Sequence, residues 1–374
     1  MARAVIEREL TRTRVPRARF SVATAADDAG IRALLRDNPI PGRISLSFER
    51  EPDYFADAVI GGGEKQTIVA RKGGRVACIG NCAIRDRFVN GQPSRVGYLG
   101  GLRLDSRFAG RFDILRQGYQ FFRELQAEDP ADFYFTSIAA DNLRARKFLE
   151  QGVPGMPLYE FIGDFVTLML PINRRASVRA VSSSAASAVG DLISCVNDYN
   201  RSRQFAPSWS VEEWFALEAL GLRSEDFYCV RSGNGTLAGA AIWDQRAFKQ
   251  TVIRGYAPLL GHVRPALNLV AHVAGGLRLP AVGETVANAF VSHLAVWPAE
   301  LAAFVRELRA LAAKRRIEFL TMGFAAKDPN LALVRRNFRC REYWSRLYVV
   351  RWPDIGGAAG ELDGRLLAPE VALL

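Results

Sequence analysis

The stretch from 94 to 152 limits the fold of this chain more than any other part of it. Residues 94–104 (SRVGYLGGLRL) place Val96, Tyr98, Leu102 and Leu104 in alternation, which suits a strand with one buried face. Gly100 and Gly101 interrupt it, and glycines inside a strand mark a bulge, a splay, or the close approach of another chain or ligand. Residues 105–112 (DSRFAGRF) form a short loop with one glycine and two arginines, and Leu115, Tyr119, Phe122 and Leu125 then fall at helical spacing over 114–126. A strand that feeds a glycine turn opening a helix aims several N–H groups and a helix N-terminus at one point, which makes an anion site. Residues 132–140 read as the next strand, and Asp141 caps a helix over 141–150.

The residues before this stretch supply a strand at 19–24, a helix at 27–36, a proline-bearing loop at 38–43 and a helix at 51–60 that the glycines at 61–63 stop. Strands at 67–72 and 75–89 join through the turn Lys72-Gly73-Gly74, and a second turn at 90–93 leads back into residue 94. A long strand at 157–170 closes the first half, and 171–176 is the linker candidate. The second half repeats the plan: helices at 182–200 and 211–220, strands at 227–231 and 236–253 around a turn at 232–235, a strand at 288–296, a helix at 298–314, a strand at 317–323, a helix at 330–337 and a closing strand at 343–352. A helix at 258–275 with His262 and His272 is inserted, and Pro265 predicts a kink or a late start. From 356 onward the Gly/Ala-rich tail is expected to pack loosely.

Leu102-x-Leu104 followed by Gly110-Arg111 and a helix resembles the coenzyme segment of the GNAT-type N-acyltransferases. Asn142-x-x-Ala145-x-x-Phe148-Leu149-Glu150-x-Gly152 resembles that family's second signature, in the expected order. Two departures stand out: Phe112 occupies the small-residue position of the loop, and Leu149 replaces a tyrosine that often protonates the departing thiolate. The resemblance implies a mixed α/β fold, two tandem GNAT-like domains with mostly antiparallel sheets flanked by helices. The expected layout is a basic arm at 1–18, an acyl-CoA-binding domain at 19–172, a degenerate copy at 177–354 and a tail at 355–374. It implies acetyl-CoA or another acyl-CoA as donor, and a small-molecule or peptide amine as acceptor. Leu102, Arg103 and Leu104 would pair with pantetheine, while Arg107, Phe108, Ala109, Gly110, Arg111 and Phe112 would hold the diphosphate. Asn142 and Ala145 would face the pantetheine arm, and Arg146 or Lys147 the nucleotide end. In the second copy Pro298-Ala299-Glu300 sets a carboxylate at the matching place, which repels a diphosphate.

An amine acceptor calls for positioning against the thioester and for a group near neutral pKa to take its proton. Glu51, Asp53, Tyr54, Asp86 and Tyr98 are the candidates, with Tyr98, Glu51 and Asp86 foremost; His293 reads as a core histidine. Five cysteines and three scattered histidines show no metal spacing, and Cys78 and Cys82 lie too far apart along one strand for a disulfide. Reduced thiols, no apolar run of spanning length and no secretory signal lead to the expectation of a cytoplasmic protein without a membrane partner. The net charge of +11 attracts anions, yet the arm at 1–18 lacks interleaved aromatics, so a nucleic-acid platform is disfavoured. Two other classes accommodate these features: a non-catalytic acyl-CoA sensor or scaffold, and a transferase taking acyl groups from tRNA.

Overall fold

The computed structural model describes residues 19–58, 65–172, 189–231, 237–274, 278–352 and 360–374. The basic arm, the glycine stop at 61–63, the turn at 232–235 and most of the linker candidate lie outside them. The first half contains β1 (Arg19–Val22), α1 (Asp28–Asp37), β2 (Ile44–Glu49), β3 (Lys65–Lys72), β4 (Arg75–Val89), β5 (Gln92–Leu104), α2 (Phe112–Leu125), β6 (Phe133–Ala139), α3 (Leu143–Glu150) and β7 (Leu158–Pro171). The second half contains α4 (Val189–Arg201), β8 (Arg203–Gln204), α5 (Val211–Glu218), β9 (Phe227–Arg231), β10 (Leu237–Trp243), β11 (Gln250–Tyr256), α6 (Pro258–Ala274), β12 (Asn288–Ala295), α7 (Pro298–Lys314), β13 (Phe319–Ala325), α8 (Pro329–Asn337) and β14 (Arg341–Arg351). A short strand, β15 (Leu366–Leu367), lies in the tail.

Local chemistry accounts for most of these boundaries. The Ser210 hydroxyl and the Glu213 carboxylate cap α5 reciprocally, and Pro298 opens α7 at a position that needs no N–H partner. In α2, Ile114, Gly118 and Phe122 repeat every four residues and form its buried face.

The halves do not form two separate sheets. One 11-stranded sheet runs in the order β1-β3-β4-β5-β6-β14-β7-β13-β12-β10-β9. Each closing strand lies beyond its own half: β14 pairs antiparallel with β6, and β7 pairs antiparallel with β13, while β14 and β7 pair with each other at the centre. Phe135, Val96, Phe165, Leu347 and Phe205 from both halves therefore share one core cluster. Main-chain bonds add a second tie, with Phe205 N–H donating to the Phe88 oxygen (2.8 Å) and Ser208 N–H to the Asp86 oxygen (3.0 Å).

Several expectations are corrected. Residues 53–58 are successive turns, with Ala56 N–H to Asp53 O (3.3 Å) and Ala58 N–H to Phe55 O (2.9 Å), not an α-helix. The strand expected at 236–253 breaks after Trp243, where Asp244 and Arg246 form an ion pair and Lys249 N–H donates to Gln245 O. Its second part, β11, leaves the main sheet to pair with β2, a strand that sequence patterning missed. Arg254 binds Glu49 across this ribbon, and Gln250 bonds the Glu51 main chain on both sides. α6 runs through Pro265 from Pro258 without a late start. The tail is not loose: residues 366–367 pair with β8, and Leu367 and Ala372 are buried.

Candidate functional site

β5 and β6 pair in parallel only from Val96–Phe133 to Leu99–Thr136. Beyond that rung β5 stays with β4 as far as Leu104, and β6 stays with β14 as far as Ala139, so the two strands part. The Thr136 hydroxyl donates to the Leu99 oxygen (2.7 Å) and closes the vertex. On the β4 side the register slips: Asn81 faces Gly100 while Ile79 faces Arg103, which places one extra residue on β5. This is a β-bulge. The glycine pair makes it possible. A Cβ on Gly100 would lie 2.7 Å from the Tyr98 ring, and one on Gly101, whose φ is +62°, would lie 2.1 Å from the Asn81 amide.

The loop after the fork is tied down by its own residues. Asp105 accepts from Arg107 N–H (2.9 Å) and pairs with its guanidinium, and Ser106 N–H reaches Asn38 Oδ1 (2.7 Å). Phe108, Ala109, Arg111 and Phe112 donate their N–H groups to oxygens within the loop. The Gly110 oxygen accepts the Phe112 N–H (2.9 Å), whereas its own N–H, on a residue at φ +88°, donates to none of these oxygens; a Cβ there would lie 3.6 Å from Nη2 of Arg144. Arg144 thus lies beside Gly110 ahead of α2, and Arg107 and Arg111 flank it in sequence, the first paired with Asp105 and the second with Asp113 (2.6 Å). Phe112 does not point into the approach to Gly110 alone: its ring stacks on Phe148 of α3 at 4.5 Å. The loop can therefore hold an anion mainly by charge and by Gly110, with fewer N–H groups than the sequence led us to expect.

The remaining coenzyme candidates divide. Leu102 is exposed, and Arg103 is half-buried near Tyr343, with which it interacts electrostatically. Phe108 lies under Lys72 (5.2 Å). Asn142 caps α3, its Oδ1 accepting from Ala145 N–H (3.2 Å), while Ala145 packs on the cluster of Ile138 and Leu149. Arg146 donates to the Ala140 oxygen (2.7 Å) and Lys147 is exposed.

Of the three foremost catalytic candidates, the fold brings only Tyr98 to the fork, one residue before its last rung. Burial pushes its hydroxyl up to about 12. Asp86 is exposed, between two inward arginines. Glu51 is tied to Arg32 at the end of the β2–β11 ribbon.

Sequence reading missed the buried polar cluster behind the fork. Arg85 and Arg87 alternate inward on β4, and charged residues at two successive inward positions of a strand were the available signal. Arg85 bonds Glu213 (3.0 Å) and covers the Trp209 ring; Arg87 donates to the Phe205 oxygen (2.9 Å). Burial, then Arg85, lowers Arg87 to about 9.

The second half contains a matching fork. β12 and β13 pair only from Asn288–Phe319 to Phe290–Thr321, and a bulge between β10 and β12 again adds one residue, beside His293 at φ +56°. His293 stacks on Trp209 (3.9 Å), and burial holds its imidazole well below the usual range. Here the tail enters: the turn Val371–Leu373 touches both β12 and β13, and Glu370 accepts from the Ser292 hydroxyl and from His293 N–H (3.2 Å). No loop precedes α7, which starts three residues after β12 ends.

No family model matches the sequence, and no curated protein does. Solved structures do match. Saccharomyces cerevisiae N-myristoyltransferase with bound myristoyl-CoA aligns at a TM-score of 0.57 and 10% identity, covering 94% of this chain and 89% of that one. The same enzyme with myristoyl-CoA and inhibitors gives 0.58 at 9% identity over 93% and 85%. This chain has a tandem GNAT-type fold. A GCN5-related N-acetyltransferase from Kribbella flavida also matches, at 0.43 and 14% identity over 89% and 71%.

Proposed function

We propose that this chain is an acyltransferase that moves an acyl group from CoA to an amine of a peptide or small molecule by direct transfer. The observation that carries the reading is the divergence of β5 from β6, bulged at Gly101 and ending on the basic loop around Gly110. The main chain of Leu102, Arg103 and Leu104 pairs with the pantetheine arm, and Gly110 with Arg107, Arg111 and Arg144 holds the diphosphate. Both neighbours named with bound myristoyl-CoA support a CoA thioester as the donor class.

In the transfer the neutral amine nitrogen attacks the thioester carbon, a C–N bond forms and the C–S bond breaks. The ammonium proton leaves to solvent, and the thiolate takes one. The Tyr98 hydroxyl, kept protonated at neutral pH by its burial, is no base for the amine, so its O–H is offered to the developing negative charge on oxygen or sulfur. Most of the rate comes from holding amine and thioester together in the fork.

The test is calorimetric titration with acetyl-CoA and with myristoyl-CoA, followed by thiol release in the presence of peptide and small amines. Absence of binding by every CoA species would end the proposal. A second reading, binding without turnover, is favoured by Leu149, which is buried in the core where the family has its tyrosine. Saturable binding with no thiol release for any amine would establish it.

A further inference from the structure

α6 is built with its polarity reversed. A surface helix normally turns its apolar stripe to the core. Here the side facing the protein presents Leu260, Gly261, Arg264, Asn268 and Ala271, with Arg264 and Asn268 at its centre. Arg264 donates to the main-chain oxygens of Leu279 (3.3 Å) and Pro280 (3.1 Å) and lies against the Tyr256 ring. Asn268 exchanges two hydrogen bonds with the Leu279 main chain (2.9 and 2.7 Å). The opposite side carries Leu259, Val263, Ala266, Val270 and Val273 at successive helical turns, flanked by Leu269. Leu259 is 78% exposed and Val273 72%. Val282, in the segment that receives Arg264, is exposed as well. Because the inward polar groups are satisfied, the helix is seated in the orientation its side chains require.

The chemistry of the stripe points to what covers it. Apart from the exposed His262 on its flank it is aliphatic, without the Trp, Tyr or Met enriched in protein interfaces. One helical stripe is also far smaller than the roughly 20–30 residues a side of a stable protein interface. α6 contains no carboxylate. Its start is bonded to Arg43, an exposed residue whose oxygen accepts the Ala257 N–H (2.9 Å), and Arg278 follows its C-terminal end. Arg278 is paired with Glu284, which offsets its charge, and the chain as a whole carries +11. An aliphatic stripe on a helix without carboxylates, in a chain of net positive charge, complements an anionic bilayer surface.

We propose that α6 lies in the surface of an anionic lipid bilayer and holds the protein there. Among the described residues no helix is long and apolar enough to cross a membrane, so the contact is peripheral. The expectation of no membrane partner rested on the lack of a spanning segment, which a surface helix does not need. This inference uses α6 alone and stands or falls independently of the acyltransferase reading.

The full chain is sedimented with vesicles of phosphatidylcholine, and with vesicles in which about one lipid in three is phosphatidylglycerol. The chain should pellet with the anionic vesicles at least about tenfold more strongly than with the neutral ones. The triple variant Leu259→Asn, Val270→Asn, Val273→Asn should lose about tenfold or more in binding with its melting temperature unchanged, because these side chains face outward. If the triple variant melts lower, Val273→Asn alone provides the same comparison with a smaller loss. Equal pelleting with both vesicle types, or none with either, overturns the proposal. So does a native dimer in analytical ultracentrifugation that the same variants convert to monomer, since a second copy would then cover the stripe.

Discussion

The two forks of the sheet share a plan and differ in what ends them. Each parts a parallel strand pair after a few rungs, and each bears a one-residue bulge, at Gly101 in β5 and beside His293 in β12. In the first, the bulge is glycine because Tyr98 and Asn81 take the space a Cβ would need. In the second, a histidine accepts the left-handed backbone, and its ring is held by Trp209 and its N–H by Glu370. The first fork leads to a basic glycine loop; the second leads straight into α7 and is filled by the chain's own tail. One framework can thus serve a ligand or a structural plug, and a handful of residues decides which.

The largest effect is expected at the loop. Gly110→Val puts a branched side chain at φ +88°, where L-residues are strained, beside the guanidinium of Arg144. CoA affinity should fall by about a hundredfold or more while the melting temperature changes little, because the loop is at the surface. Unchanged affinity in a folded variant would falsify the assignment of the first fork to the coenzyme.

The second fork is tested through its plug. Glu370→Leu leaves the buried His293 N–H without its acceptor and the Ser292 hydroxyl with the His293 Nδ1 (2.7 Å) as its remaining partner. The expected cost is about 1–3 kcal/mol of stability, read by chemical denaturation, with CoA affinity unaltered. A marked loss of CoA affinity together with normal stability would show that the tail belongs to the coenzyme site, and the contrast between the forks would fail.

A smaller, pH-dependent effect comes from Lys249, which donates to the main-chain oxygen of Leu374 (2.8 Å). Burial, and then Arg50, lowers its ammonium to about 7. Between that value and the ordinary lysine range, the unfolded chain holds a proton that the folded chain has released. Stability therefore rises with pH across this window. Arg87 adds a slope of the same sign only above about 9, so midpoints are compared from pH 7 to about 9. Lys249→Met should flatten the rise; an unchanged slope would remove Lys249 as its source.

How much of this was legible in the sequence depends on range. The strand, loop and helix around Gly110 and the repeated plan follow from local periodicity and turn residues. Gly100 and Gly101 alone leave bulge, splay or close approach open, and the splay comes from the family resemblance; the structure contains a bulge and a splay there. The exchange of β7 and β14 was not legible, because an alternating strand presents the same pattern whichever neighbour it pairs with. β2 was missed for a related reason: its partner β11 lies some two hundred residues away. In the tail, the Gly/Ala-rich composition around 356–360 hid an apolar end whose Leu367 and Ala372 are core residues. Tyr98 could be named as a candidate from its place beside the glycines. Arg85 and Arg87 left a signal in their inward places on one strand, but the pairing of Arg85 with Glu213 was not legible, since it joins the two halves.

The smallest effect separates charge from backbone at the same loop. Arg111 is half shared with Asp113, through bonds of 2.7 and 2.6 Å, and remains partly solvated. A guanidinium already neutralised by a neighbouring carboxylate contributes less to an incoming diphosphate than a free one. Arg111→Ala should thus weaken CoA binding only about three- to tenfold, and added salt should shrink the difference further. Asp113→Asn supplies the converse: it releases Arg111 and should tighten binding by a similar factor. Calorimetry with CoA and dephospho-CoA at two salt concentrations reads both. If Arg111→Ala costs as much as Gly110→Val, the loop holds its ligand by side-chain charge alone, and the glycine that distinguishes the first fork from the second has a purely structural part.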